Sequence, residues 1–238
     1  MKNRKTNRWK KAFRGWKVGD YFRQLSVVIL GIIVTFMASD IVTGYAEKRE
    51  ITNALQLVKE ELELNKQEMQ RILERIRLEQ EACEYVLKYR NCLEKASEDT
   101  LKMYRNIPFQ VRSFIYTKDA IELLKTSSLF QKVQPKALTL QIIKAYNDLE
   151  ITALLVKSFY DTKSSYTEHL LHTGTFDFYD KEQYVSVRNY WKNFLFTREG
   201  WNTCNHVVNN FSSLSPFQNS LNNLEETIRL LEENYQLK

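Results

Sequence analysis

Between Gly44 and Pro108 lie 63 consecutive residues with neither glycine nor proline. They are rich in Glu, Lys, Leu, Gln and Arg, residues that lose little rotamer freedom on entering a helix, so a sheet is a poor solution for this stretch. Steps of four and three, alternating from Ile51, reach Leu55, Val58, Leu62, Asn65, Met69, Ile72, Ile76, Glu79, Cys83, Val86, Arg90 and Leu93. Ten of these thirteen positions are apolar when Cys83 is counted, which is the stripe of an amphipathic helix with coiled-coil-like spacing. The spacing predicts one long stalk helix over 46–107. Asn65 interrupts the stripe, either to set register in a dimer or as a solvated point on a bundle helix. The carboxylates beside it, including Glu60, Glu61 and Glu63, read as a solvated face with opposite-charge neighbours.

Upstream, LSVVILGIIVTFMAS from Leu25 to Ser39 carries no charge. At 1.5 Å per residue it spans about 22 Å, less than the roughly 30 Å hydrocarbon core, so a full crossing extends past Asp40 to Gly44 or Tyr45. Asp40 then falls at the far interface, and Tyr21, Phe22 and Tyr45 fall where an aromatic belt forms. Arg23 can snorkel at the near end. The segment 24–45 is expected to be a transmembrane helix embedded in a lipid bilayer. Two other readings stay open: a cleaved signal peptide, with Gly44 and Ala46 as small residues before the cut, and a buried core helix.

The net charge of +6 is not spread evenly. Residues 1–23 hold nine basic side chains against Asp20, a balance of +8, while the other 215 carry 26 basic and 28 acidic residues, a balance of −2. A basic tail can neutralise nucleic-acid phosphates, but the apolar run behind this one points to a membrane, and no nucleic acid is expected as a partner. The positive-inside rule places the tail in the cytoplasm and exports the C-terminal part.

Six glycines, three prolines and 43% apolar residues exclude a turn-rich β sandwich, a collagen-like segment and a disordered chain. Beyond Pro108, Thr117 is the expected N-cap of TKDAIELLKTSS, with Ile121, Leu123 and Leu124 facing inward. Pro135 opens a second helix in which Leu138, Ile142, Ala145, Leu149, Val156 and Phe159 repeat at helical spacing towards Gly174. An aromatic stretch with Phe176, Phe178, Tyr179, Tyr184, Tyr190, Trp191, Phe194, Phe196 and Trp201 predicts a core helix over 181–199, ended by Gly200. After the SSLSP loop, Leu221, Leu224, Ile228, Leu231 and Tyr235 form a last stripe, whose natural partner is the long helix running antiparallel to it. The expected fold is all-α: a cytoplasmic tail over 1–23, a transmembrane helix over 24–45, a stalk helix over 46–107 and an exported helical bundle over 108–238.

Two stretches carry a resemblance. The junction GIIVTFMASDIVTGYAEKREITNALQLVKEELELNK and the segment DAIELLKTSSLFQKVQPKALTLQIIKAYNDLE, with Ala120, Leu124, Lys125, Ser127, Ser128, Phe130, Val133 and Tyr146 at its marked positions, resemble a family of single-pass membrane-anchored helical proteins common in Bacteroidota. Ser128 stands where that family usually has Gly, and its Asn-Asn-Trp after the membrane helix is absent. The resemblance implies the same topology and fold, a bacterial inner-membrane protein with a cytoplasmic N-terminus and a periplasmic C-terminal domain, and supplies no activity.

No reactive constellation stands out. His169 and His172 share a helical face beside Glu168, and Cys204 and His206 follow later, so zinc-compatible side chains exist; without HExxH or paired CxxC spacing they assign no metal or cofactor. Ser127 and Ser128 lack a GxSxG context, and no phosphate-binding glycine motif occurs, so no catalytic residue is assigned and the chain is not expected to be an enzyme. Cys83 and Cys92 are nine residues apart, on opposite helix faces and about 13.5 Å along the axis, too far to bond to each other. Either could reach Cys204 in an exported compartment, an unpaired buried thiol being the ordinary state. Two functions fit. One is a non-enzymatic interaction or scaffold protein that docks another envelope protein, or itself through the stalk. The other is a small-molecule sensor signalling through a partner, with Tyr184, Trp191, Phe194 and Trp201 lining its pocket.

Overall fold

The computed structural model describes residues 18–173, 186–210 and 215–237. The basic tail up to residue 17, Phe176, Phe178, Tyr179, Tyr184, the expected helix start over 181–185 and most of the SSLSP loop lie outside the described residues. Among the described residues the α-helices are α1 Val18–Lys88, α2 Glu98–Tyr104, α3 Asp119–Thr126, α4 Lys136–His172, α5 Val187–Phe196, α6 Arg198–Asn210 and α7 Ser215–Tyr235. Short 3-10 turns stand at Leu93–Lys95, Ile107–Phe109 and Phe130–Lys132, and no strand occurs among the described residues. The chain divides into two units, Met1–Ile51 and Thr52–Lys238, and α1 contributes residues to both.

In the first unit α1 is long and apolar enough to cross a membrane, with a mean hydropathy of 2.1 over its most apolar window. None of that window is buried, and Val27, Ile29, Leu30, Ile33 and Phe36 are exposed. A core helix would be covered on at least one face, so the buried-helix reading does not fit. The hydroxyl of Thr35 donates to the Gly31 carbonyl at 2.8 Å, which leaves it satisfied inside the helix.

The second unit is built on the rest of α1. Leu55, Val58, Leu62, Met69, Ile72, Ile76, Cys83 and Val86, all on the expected stripe, are buried within the single chain. Helix α7 runs antiparallel to α1: Lys59 pairs with Glu232 at 2.9 Å and Lys66 with Glu225 at 3.1 Å, seven residues up one helix matching seven down the other. Helix α4 packs against α6 and α7, and α5 against α2 and α6. Their inward side chains complete one core, including Leu138, Ile142, Leu149 and Val156 of α4, Trp191 and Phe194 of α5, Val207 of α6 and Leu224 and Leu231 of α7.

Three elements depart from the sequence expectation. Helix α1 stops at Lys88 instead of continuing to 107, because a new helix starts at Ser97, whose side chain accepts the Thr100 N–H ahead of Glu98 and Asp99 in the first turn. The Ser97 N–H donates to the Tyr85 hydroxyl at 2.8 Å, and the indole N–H of Trp191 donates to the Leu101 carbonyl at 2.9 Å, fixing the returning segment. Gly200 does not end a helix. It lies in the first turn of α6, where Thr197 accepts its N–H and where a Cβ would sit 2.0 Å from the Phe194 carbonyl oxygen, so the glycine permits a close approach instead of a stop. Leu123 faces solvent, while Ile121 and Leu124 are buried as expected.

Candidate functional site

The polar residues that interrupt or flank the α1 stripe are the points where distant segments attach. Asn65 is buried and holds Thr117 by both backbone groups, accepting its N–H at 2.8 Å and donating to its carbonyl at 2.7 Å. Thr117 is therefore not the N-cap of α3. Lys118 occupies that position and offers no capping side chain, and the cap comes from another helix: Glu61 accepts the Ala120 N–H at 3.0 Å, a donor left open by the first turn of α3. The other oxygen of Glu61 accepts the Tyr146 hydroxyl at 2.5 Å. Burial and the neighbouring carboxylate both push the Tyr146 phenol well above its ordinary pKa. Glu61 is thus a buried anchor and not part of a solvated face, whereas Glu60 is exposed and Glu63 pairs with Lys59. Ala120 and Tyr146, two residues of the resemblance motif, converge on this one carboxylate.

Two heptads beyond Asn65, Glu79 and Lys163 form an ion pair at 2.7 Å with both side chains almost fully buried. The remaining donors of Lys163 go to the carbonyls of Ile107 at 2.9 Å and Gln110 at 2.8 Å, so all three N–H groups are used. The second oxygen of Glu79 accepts the Tyr160 hydroxyl at 2.8 Å. Burial lifts the Glu79 carboxyl above the usual carboxylate range against the pull of Lys163. Burial, then the Glu79 charge, raises Tyr160. An ammonium with three acceptors has no lone pair to offer a substrate; the cluster ties α1, α4 and the 107–110 turn together. At Arg90 the third interruption is resolved by aromatics, the guanidinium lying 4.0 Å from the Trp201 ring centroid and 5.5 Å from that of Phe196.

Tyr160 also lines a surface cleft of about 490 Å³, together with Val111, Phe114, Tyr116, Ala153 and Leu154 and the charged Arg112, Glu150, Lys157 and Asp161. Nothing in the sequence pointed to it, because one wall is the irregular stretch around 111–116, which has no periodicity to read. A smaller hollow of about 240 Å³ lies beside Phe159, His206 and Phe217.

The candidate ligands do not assemble. His169 sits 3.5 Å from Glu199 and His172 is exposed at the end of α4. The His206 ring stacks on Phe159, its Nε2–H donates to the Phe159 carbonyl at 3.0 Å, and its Nδ1 accepts from Asn210 at 2.6 Å. Burial holds His206 below its usual pKa. Among the described residues no three His, Cys, Asp or Glu side chains are grouped to hold a metal ion. Ser127 donates to the Leu124 carbonyl at 2.7 Å at the end of α3. Trp191 and Phe194 are packed core and line neither hollow. No protein-family model, curated protein or solved structure matches the chain.

Proposed function

We propose that the chain is a membrane-anchored, non-enzymatic interaction or scaffold protein of the bacterial cell envelope, its tail cytoplasmic and its helical unit exported. The observation that carries this reading is the uncovered apolar window of α1 in a chain whose second unit has a complete core of its own. The +8 flank gives the direction, and the resemblance to the Bacteroidota family supports the same topology. The buried polar groups of the Glu61 and Glu79 clusters are engaged with one another, which favours a supporting role for them over a catalytic one. At the cleft the second unit presents apolar side chains among its charges: Val111 and Leu154, with Ile115 and Ile151 on the same two segments, are 54 to 71% exposed. The α1 stripe is covered within the chain, so the partner is a second envelope protein and not another copy joined through that stripe. The cleft at Tyr160 favours the sensor as a second reading, with the ligand site there and not among Trp191, Phe194 and Trp201.

A photo-reactive amino acid placed at Leu154 in the full chain, expressed in cells, is expected to give one discrete adduct with another envelope protein. The same group at Glu81, exposed on α1, is expected to give none. Failure at all of Val111, Ile115, Ile151 and Leu154 would overturn the docking face, and an adduct the size of two chains would replace the foreign partner by self-association.

A further inference from the structure

Residues 110–118 join the Ile107–Phe109 turn to α3 with no helix, turn or bend among them. Two side-chain contacts give this stretch the two-residue period of an extended chain: Arg112 donates to the Gln110 side-chain carbonyl at 3.0 Å, and the Phe114 and Tyr116 rings stack with centroids 6.3 Å apart. Both ends are pinned, since Lys163 holds the Gln110 carbonyl and Asn65 holds both backbone groups of Thr117. Between the pins, the backbone N–H and C=O groups of 111–116 hydrogen-bond to no protein group among the described residues. Four of these six residues, Val111, Phe114, Ile115 and Tyr116, are strand formers. The six include neither lysine nor proline, the residues that commonly blunt an open edge.

This edge forms one wall of the cleft and α4 the other. Glu150 to Asp161 rises about 16 Å along α4, and 111–116 spans about 17 Å at strand spacing, which leaves room for five or six extended residues. The charges of the lining balance, Arg112 and Lys157 against Glu150 and Asp161, with Lys157 and Asp161 paired to each other. The cleft therefore suits a segment without charge, to which the exposed Val111 and Leu154 offer apolar contact.

We propose that 111–116 is a strand-docking edge: an uncharged, apolar segment of a partner protein lies in the cleft as a strand, its backbone paired to that of 111–116. Main-chain hydrogen bonds give such a complex its affinity, and the alternate side chains of the added strand give it specificity. The two pins hold the edge in place before binding, which spares the cost of ordering it. The inference rests on the reading of this cleft as the docking face and adds the form of the occupant.

The test uses the full chain in detergent and a panel of uncharged hexapeptides with Val, Ile or Phe at alternate positions and Thr or Ser between them. Amide hydrogen exchange is followed residue by residue with and without each peptide. Neighbouring residues of a strand direct their N–H groups to opposite edges. A bound peptide is therefore expected to slow exchange at alternate residues only, either 111, 113 and 115 or 112, 114 and 116. Ser113→Pro in the first case, or Arg112→Pro in the second, suits an extended chain but removes one donor, and is expected to weaken binding about tenfold. The wild-type exchange pattern decides the matter if the proline variant does not fold. A peptide that binds without the alternation, or a panel from which none binds, would overturn strand pairing. Alternate protection that appears without peptide and grows with chain concentration would also overturn it, by making the occupant a second copy. Each of these failures leaves the docking face standing while the photo-reactive group at Leu154 still gives its adduct in cells; loss of that adduct removes the docking face itself.

Discussion

Replacing Lys163 by Met is expected to cost about 3–5 kcal/mol of folding stability, the range for removing one partner of a buried ion pair. The loss arises from what remains: Glu79, buried and without its countercharge, and the Gln110 carbonyl without the Lys163 donor. Replacing both charges, with Glu79→Leu added to Lys163→Met, should recover much of the loss, since a well-packed apolar pair avoids the desolvation that the ions suffer. Acid should help the single variant. Native Glu79 already binds its proton more readily than an unfolded glutamate, and more so once Lys163 is gone, so the penalty is smallest below the unfolded carboxylate pKa and grows as pH rises through the native one. Denaturant titrations of the full chain in detergent, followed by tryptophan fluorescence, measure all three. Equal losses for the single and double variants would show that the pair is not the source of the effect.

The second large effect is expected at Leu62. It is fully buried on α1, and an aspartate there places an unpaired charge in apolar contact at a cost of several kcal/mol. Its neighbours separate anchor from surface. Glu61→Ala should cost about 1–3 kcal/mol by leaving the Tyr146 hydroxyl and the Ala120 N–H unsatisfied, whereas Glu60→Ala, on the exposed face beside Gln56, should stay within about 0.5 kcal/mol. Melting curves that rank Glu61→Ala with Glu60→Ala would refute the tertiary cap on α3.

The heptad spacing located the buried face of α1 because every apolar position on it obeys one local rule, burial at a period of about 3.5 residues. The same rule treats Asn65, Glu79 and Arg90 as interruptions. Their meaning is tertiary: Asn65 and Glu79 are met by hydrogen bonds from Thr117 and Lys163 and Arg90 by the face of the Trp201 ring, each far away in sequence, and periodicity along one helix does not register them. Glu61 was misread for the same reason, its acceptors' donors arriving from α3 and α4. Other misses had local signals. Ser97, Glu98 and Asp99 form a helix start that the absence of glycine and proline obscured, and a glycine near the expected end of an aromatic helix suggests a terminus even when, as at Gly200, its role is to admit a neighbouring carbonyl. The cleft at Tyr160 was illegible because its walls come from a helix and an irregular stretch joined only by the fold.

The reading as a whole rests on an anchored chain with its helical unit outside the cytoplasm, and a pair of reporter fusions tests that most directly. A reporter active only outside the cytoplasm, fused after Lys238, is expected to be active and to remain with the membrane fraction, while the same reporter fused at Gly15 is expected to be inactive. Activity at Gly15 with none after Lys238 would contradict the orientation, and an active C-terminal fusion released from the membrane would contradict the anchor.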